Sequence, residues 1–434
     1  MWMQQGQLHG MSVTGVGGVR SRRFGAAHLA LLGLIGCAAW TVGRLAADED
    51  AAPVQVHGFF LADYAARTTG ERPAPAASSG NATGDYPLAE ERLRVELSAA
   101  DPDIDASAHI KADFYHDDLA STSDLDMREA YVNYTWQAFD FRLGRQMVTW
   151  GAGDLLFIND VFPKDWVSFF TGRPLEYMKV GVDGVRVNYS SDRINLEALA
   201  IPIFQPDIVP TSDRFFFYDP FAAVTSRSEV KPDARIDHTE LALRVYRHVG
   251  DFDLSLYTYR GYWRDPSGIP DSFVAPTQIT LVYPTLTTAG ASVQGNALSG
   301  VVSLEAGYYW SRQDLRGNDP TIPNSQARFL IGYQRQPWQD GTIEVQYYAE
   351  IMQNYSQYRR SMPAGMPKAR EYRDVATLRF DQYLSNQAWR LSLMCFYSPA
   401  DDDELVQPST SYKLSDHFSA AVGANIFGGR HHWT

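Results

Sequence analysis

Several residue types in this 434-residue chain could do chemistry, but few have the spacing that chemistry needs. His57, His109, His116, His238 and His248 are scattered. No GxSxG, HExxH or phosphate-cradling glycine loop accompanies them. His109 shares a strand face with Ser107 and Lys111, yet that spacing alone does not assemble a nucleophile, a base and an orienting group. The acidic clusters Asp117/Asp118 and Asp401-Asp402-Asp403-Glu404 offer the oxygen ligands that Ca²⁺ takes, but solvated loops explain them better. Asp101-x-Asp103-x-Asp105 lacks the Gly and Glu of a calcium loop and fits a turn. Cys37 and Cys395 form neither a disulfide framework nor a metal motif, and His431-His432 is a lone pair. No catalytic residue, metal or cofactor is therefore expected, and an enzyme is the least favoured class.

What does recur is charge on alternate residues. Arg92, Arg94 and Glu96 share one face of a segment, as do Lys111 and Asp113. Glu129 opposes Ala130, Val132, Tyr134 and Trp136; Arg186 opposes Val185 and Val187. Glu305 opposes Val302, Leu304, Ala306 and Tyr308; Glu344 opposes Ile343, Val345 and Tyr347. Arg142, Glu197, Glu240, Arg244, Arg328 and Arg390 recur in the same manner. A period of two with one apolar and one charged face is a β-strand signature. Seventeen such strands are expected: 53–66, 88–99, 104–115, 126–136, 139–149, 182–190, 193–203, 236–248, 251–263, 287–297, 300–312, 325–337, 341–354, 371–383, 387–398, 403–413 and 416–427. Residues 278–283 are a further candidate.

Short turns such as Gln137-Ala138 and Val249-Gly250 alternate with long polar connections: 67–87, 116–125, 150–181, 204–235, 264–286, 313–324, 355–370 and the shorter 399–402. A transmembrane β-barrel has this rhythm, with short turns at one rim and long loops at the other. Tyr134, Trp136, Trp263, Trp310 and Trp389 fall near strand ends, where amphipathic rings suit a membrane interface. In lipid every backbone polar group needs a partner, so the sheet must close, with apolar faces outward and charged faces lining a lumen. The expected fold is all-β, an antiparallel up-and-down transmembrane barrel of about 16–18 strands. Seventeen is an odd number and the chain ends in Thr434, so a last strand is expected to be missing. The net charge of −13 argues against nucleic acid as a partner.

The chain divides into a leader, 1–47, and a barrel domain, 48–434. Arg20, Arg22 and Arg23 precede an apolar run from Phe24 to Ala39, the arrangement of a secretory signal with cleavage between 39 and 47. Leu34-Ile35-Gly36-Cys37 also reads as a lipidation box, and Met11 as the true initiator.

The connection 150–181 is rich in rings and carboxylates. Asp154, Asp160, Asp165, Trp166, Phe169 and Phe170 are its candidate constriction residues, because exposed Phe and Trp are costly and the lumen would bury them. Just before it stands Arg142-Leu143-Gly144-Arg145-Gln146-Met147-Val148-Thr149-Trp150-Gly151, followed by Gly153-Asp154 and Asn159-Asp160-Val161-Phe162-Pro163. This GRQ…WG…D stretch resembles poorly characterised porin-like and alginate-export-like barrels. Over nearly all of 53–434 the chain resembles Gram-negative outer-membrane β-barrel porins. Most such barrels end in an aromatic residue, from which Thr434 departs. The resemblance implies residence in the outer membrane, passive diffusion of small polar or charged solutes, and no cofactor. It implies as partners outer-membrane lipid and lipopolysaccharide, periplasmic chaperones and the barrel-assembly machinery. A plugged scaffold or adhesin barrel is the alternative.

Overall fold

The computed structural model describes residues 54–68, 86–211, 214–215 and 219–429. The leader 1–47 and the pair His431-His432 lie outside the described residues. The strands are β1 (Gln55–Ala65), β2 (Leu88–Asp101), β3 (Ala106–Asp117), β4 (Thr122–Trp136), β5 (Phe139–Gln146), β6 (Val182–Ser190), β7 (Asn195–Ile201), β8 (Ser226–Val230), β9 (Glu240–Val249), β10 (Phe252–Tyr262) and β11 (Ser267–Pro270). They continue as β12 (Gln278–Val282), β13 (Thr285–Ala297), β14 (Gly300–Ser311), β15 (Gln326–Trp338), β16 (Gly341–Met352), β17 (Tyr372–Leu384), β18 (Trp389–Ser398), β19 (Asp403–Lys413), β20 (Ser419–Gly423) and β21 (Ile426–Gly429). Two short helices, α1 (Trp166–Thr171) and α2 (Tyr355–Ser361), lie in the connections.

The fold is all-β and up-and-down. Each strand of the large sheet pairs antiparallel with its predecessor, from β1 through β7, then β9, β10 and β13 to β19. β20 and β21 divide the last position, both pairing with β19. Among the described residues no pairing joins β1 to β20 or β21, so the sheet is not closed. The alternation that identified the strands also sets their faces. Leu143, Leu256 and Ile331 point outward and are 64%, 61% and 55% exposed, while the charged Arg94 and Glu305 on the other face are 1% and 4% exposed. Apolar-out and polar-in is the reverse of a soluble core and the pattern of a lipid-facing barrel wall.

One further candidate is met in a separate sheet, and two expectations need correction. Residues 278–283 do form a strand, β12, but it joins a separate three-stranded sheet with β8 and β11 that is built from two long connections. The connection 116–125 is not long: β3 and β4 stay paired out to Asp117 opposite Thr122. There the Asp117 carboxylate accepts the Leu119 and Ala120 amides at 3.0 and 3.1 Å and closes a tight turn, so long and short connections do not alternate strictly. Trp263 is not at an interface. It is 8% exposed and tilted against Tyr309, with ring centroids 5.6 Å apart. Trp136 and Trp389, by contrast, are half exposed at strand ends.

Candidate functional site

The connection 147–181 folds onto the polar face of the sheet. Gly151 starts it with φ +85°, a left-handed conformation that favours glycine, and a Cβ there would lie 2.7 Å from the Glu305 carboxylate. Glu305, on β14, accepts the amides of Ala152, Gly153 and Asn159 at 2.7, 3.1 and 2.7 Å, and the Asn159 side-chain amide at 2.9 Å. The Asn159 oxygen sits where a Cβ on Gly290 of β13 would be, at 2.0 Å, so that strand carries glycine where the loop lies closest. The Asp154 amide donates to Gln346 of β16 at 3.2 Å, and the Asp154 carboxylate pairs with Arg379 of β17. Leu156 and Ile158 join Leu330, Val375 and Phe396 in a buried apolar cluster.

Farther along, Asp165 caps α1 by accepting the Ser168 amide at 2.9 Å, and Gly172 ends the helix at φ +85°. Burial pushes the Asp165 carboxyl up, against the hydrogen bonds from Ser168 and the charge of Arg173. The Phe169 ring meets Phe396 of β18 edge-on at 5.5 Å, and Asn425, between β20 and β21, donates to the Phe170 carbonyl at 2.9 Å. The chain then reaches the opposite wall. Arg173 pairs with Glu90 at 2.5 Å and Glu176 with Arg94 at 2.5 Å, both on β2. Tyr177 lies among Arg92, Arg94 and Arg128, each 4.8–5.0 Å from its ring centroid. Such cation–π contacts strengthen when desolvated. Burial, then the charge of Asp113, pushes the Tyr177 hydroxyl up to about 12. One connection thus bridges β2 and β4 to β14, β16–β19 and the last edge.

The expected lumen-lining residues fall on this same face, mostly in ion pairs. Arg92 and Arg94 flank Asp113, with Arg94 at 2.6 Å. Lys111 stands 3.5 Å from Glu96 and 3.7 Å from Glu129. Arg142 donates to Asn133 at 2.7 Å, stacks over Tyr131 at 3.9 Å and lies opposite Arg186 in register. Arg186 and Arg244 approach Glu197 at 3.7 and 4.0 Å. Glu240 binds Arg264 at 2.5 Å, Arg328 meets Glu350 at 3.2 Å, Glu344 accepts from Gln346 at 2.6 Å, and Arg390 meets Asp381 at 2.7 Å.

The candidate constriction residues all lie in the inserted connection. Asp160 holds Lys164 at 2.9 Å, and the Trp166 indole donates to Asp207 at 3.0 Å. Sequence reasoning missed Arg128, Arg173, Tyr177, Arg264 and Asp265. The last four sit in connections, where no period marks them, and Arg128 is the extra residue at a register shift between β3 and β4. Arg373, Arg379 and Asp381 were missed as well, although alternation on β17 marks them. Of the acidic clusters, Asp117 binds Arg214 at 2.6 Å and Asp401 binds Arg373 at 3.2 Å. Among the described residues no group of three or more His, Cys, Asp or Glu side chains could hold a metal.

No curated protein matches the chain. Among solved structures it is similar to outer-membrane expressed OmpT of Vibrio cholerae, with 11% identity over 88% of this chain and 99% of that one and a TM-score of 0.44. It is similar to the outer membrane channel DcaP of Acinetobacter baumannii, with 14% identity, 88% and 99% coverage and a TM-score of 0.42. For OccK11 (OpdR) of Pseudomonas aeruginosa the identity is 6%, the coverage 87% and 90%, and the TM-score 0.46. A family described as "Protein of unknown function (DUF1302)" matches residues 52–327, which run from the first strand into β15. With well over half its length matched, the chain belongs to the DUF1302 family.

Proposed function

We propose that this protein is an outer-membrane channel of a Gram-negative bacterium, passing small polar or charged solutes by diffusion through a lumen narrowed by the connection 147–181. The observation that carries this reading is that connection's attachment to opposite walls of a polar sheet face, through Glu305 on one side and Glu90 and Arg94 on the other. An apolar outer face and a charged inner face suit a wall between lipid and water. Closed barrels of about this strand number enclose an aqueous space unless loops fill it. Outer-membrane lipid, lipopolysaccharide, periplasmic chaperones and the barrel-assembly machinery are the partners this reading requires, and no catalytic step or cofactor enters it. The same inserted connection is the argument for a plugged scaffold, and sustained conductance separates the two.

Charge selectivity would be set where fixed charges face the passage. Arg142 and Arg186 lie directly opposite each other on β5 and β6, and like charges so placed repel each other and favour a nearby anion. Replacing both by Ala is expected to shift the reversal potential in a KCl gradient toward cations by several millivolts or more. Unchanged selectivity would remove them from the passage.

A further inference from the structure

A chamber of about 200 Å³ is enclosed by residues 155–166 of the inserted connection, by residues 207–209 and 263–266 of two other connections, and by the wall formed by β13–β17. Drug-sized sites run to roughly 300–1,000 Å³, so its occupant is small. Rings make up much of its lining, among them Phe157, Phe162, Trp166, Trp263 and Tyr348. Its cations are already matched: Lys164 by Asp160 at 2.9 Å, Arg264 by Glu240 at 2.5 Å, and Arg328 by Glu350 at 3.2 Å. Arg373 is matched outside the chamber by Asp401, at 3.2 Å.

Two carboxylates remain. Asp207 takes the Lys164 amide at 2.7 Å and the Trp166 indole at 3.0 Å, but no cation pairs with it. Asp265 makes no ion pair among the described residues, although the charge of Arg328 acts on it, and neither the second oxygen of Asp160 nor the indole nitrogen of Trp263, 8% exposed, has a partner. Burial, together with the charge of Asp265, raises Asp207 to about 7 against the charge of Lys164, and burial raises Asp265 to about 6 against the charge of Arg328. Asp207 and Asp265 are thus two carboxylates without an ion-pair partner of their own, reached only at longer range by the charges of Lys164 and Arg328. Ca²⁺ would need six or more oxygen ligands, and among the described residues no group of three His, Cys, Asp or Glu side chains is placed to hold any metal ion. An ammonium group needs only up to three acceptors, and its hydrocarbon body suits the rings.

We propose that this chamber binds a small organic ammonium ion, its nitrogen held by Asp265 with Asp207 and its body against the rings of the inserted connection. The proposal rests on the channel reading for the route by which such an ion arrives. The test is calorimetric titration of the full chain, folded in detergent at pH 8, with 2-phenylethylammonium chloride. Neutral 2-phenylethanol, anionic 3-phenylpropionate and CaCl₂ serve as the comparison series. The expected result is saturable binding of one ammonium per chain, at least tenfold tighter than 2-phenylethanol, with no binding of phenylpropionate and a loss of tenfold or more in Asp265→Asn.

Equal binding of alcohol and ammonium, tighter binding of Ca²⁺ than of ammonium, or an unchanged affinity in Asp265→Asn would overturn it. If that variant does not fold, the ligand series on the unaltered protein decides. Bilayer conductance in KCl, recorded separately, distinguishes the two readings. A conducting pore without ammonium binding sinks this proposal alone, and ammonium binding without conductance sinks the channel alone.

Discussion

Glu305 shows how much one side chain can hold: four N–H groups from a single connection converge on a carboxylate that is 4% exposed. Hydrogen bonds to a charged group contribute about 1.5–3 kcal/mol each, and their donors cannot all find water if the acceptor is removed. Glu305→Ala is therefore expected to cost about 2–4 kcal/mol of folding stability in reversible urea titrations in detergent. It should also give noisier single-channel currents, and a quiet pore of unaltered stability would contradict the anchoring role. The acids of the chamber make a second prediction. Asp207 and Asp265 are raised above the ordinary carboxyl value, so their protonated forms suit the fold. Their contribution to stability is complete below about pH 4 and is lost as pH rises through 6–7. Attraction for cations runs the other way, because it needs the charged form. Lys164, Arg264, Arg328, Arg373, Asp160 and Glu350 face the same chamber. Ammonium affinity should rise severalfold between pH 5 and pH 8, and a flat profile would show that neither acid takes part.

At the scale of elements, the connection 147–181 is tied to one wall by Glu305 and Arg379 and to the other by Glu90 and Arg94. Replacing residues 152–178 with a flexible glycine–serine segment should widen the passage and raise unit conductance severalfold. An unchanged conductance would mean that the connection lies outside the ion path. This element also marks how far the sequence could be read. On β14 the alternation of Val302, Leu304, Ala306 and Tyr308 with Ser303, Glu305 and Tyr309 announces both the strand and its polar face. That face follows from geometry, since a strand puts successive side chains on opposite sides. The Phe and Trp content of 150–181 pointed to a buried loop, and Phe169 does pack on Phe396. Its partners were not legible. Arg173 and Asp265 lie in irregular backbone and Tyr177 in a single 3-10 turn, where contacts join residues far apart in sequence: Arg173 meets Glu90 across 83 positions. At residues 116–125 polar composition imitated a loop, whereas hydrogen bonds to Asp117 close the strands into a tight turn.

The large sheet is continuous from β1 to the β20/β21 position, and among the described residues no pairing closes it between them. An unpaired strand edge in hydrocarbon leaves backbone groups without partners, each costing several kcal/mol. β1 is exposed along most of its length, and β20 along all of it. Amide exchange in detergent should therefore be fastest in β1, β20 and β21 and at least a hundredfold slower in β13–β17, where each strand is paired on both sides. Uniform protection would show that the two edges are joined. The central claim, a polar passage narrowed but not sealed by one inserted connection, is tested most directly by single-channel recording in a planar bilayer under a KCl gradient. Stable unit steps with a defined reversal potential are predicted. Electrical silence from protein shown to be folded and inserted would contradict the claim and make the connection a plug.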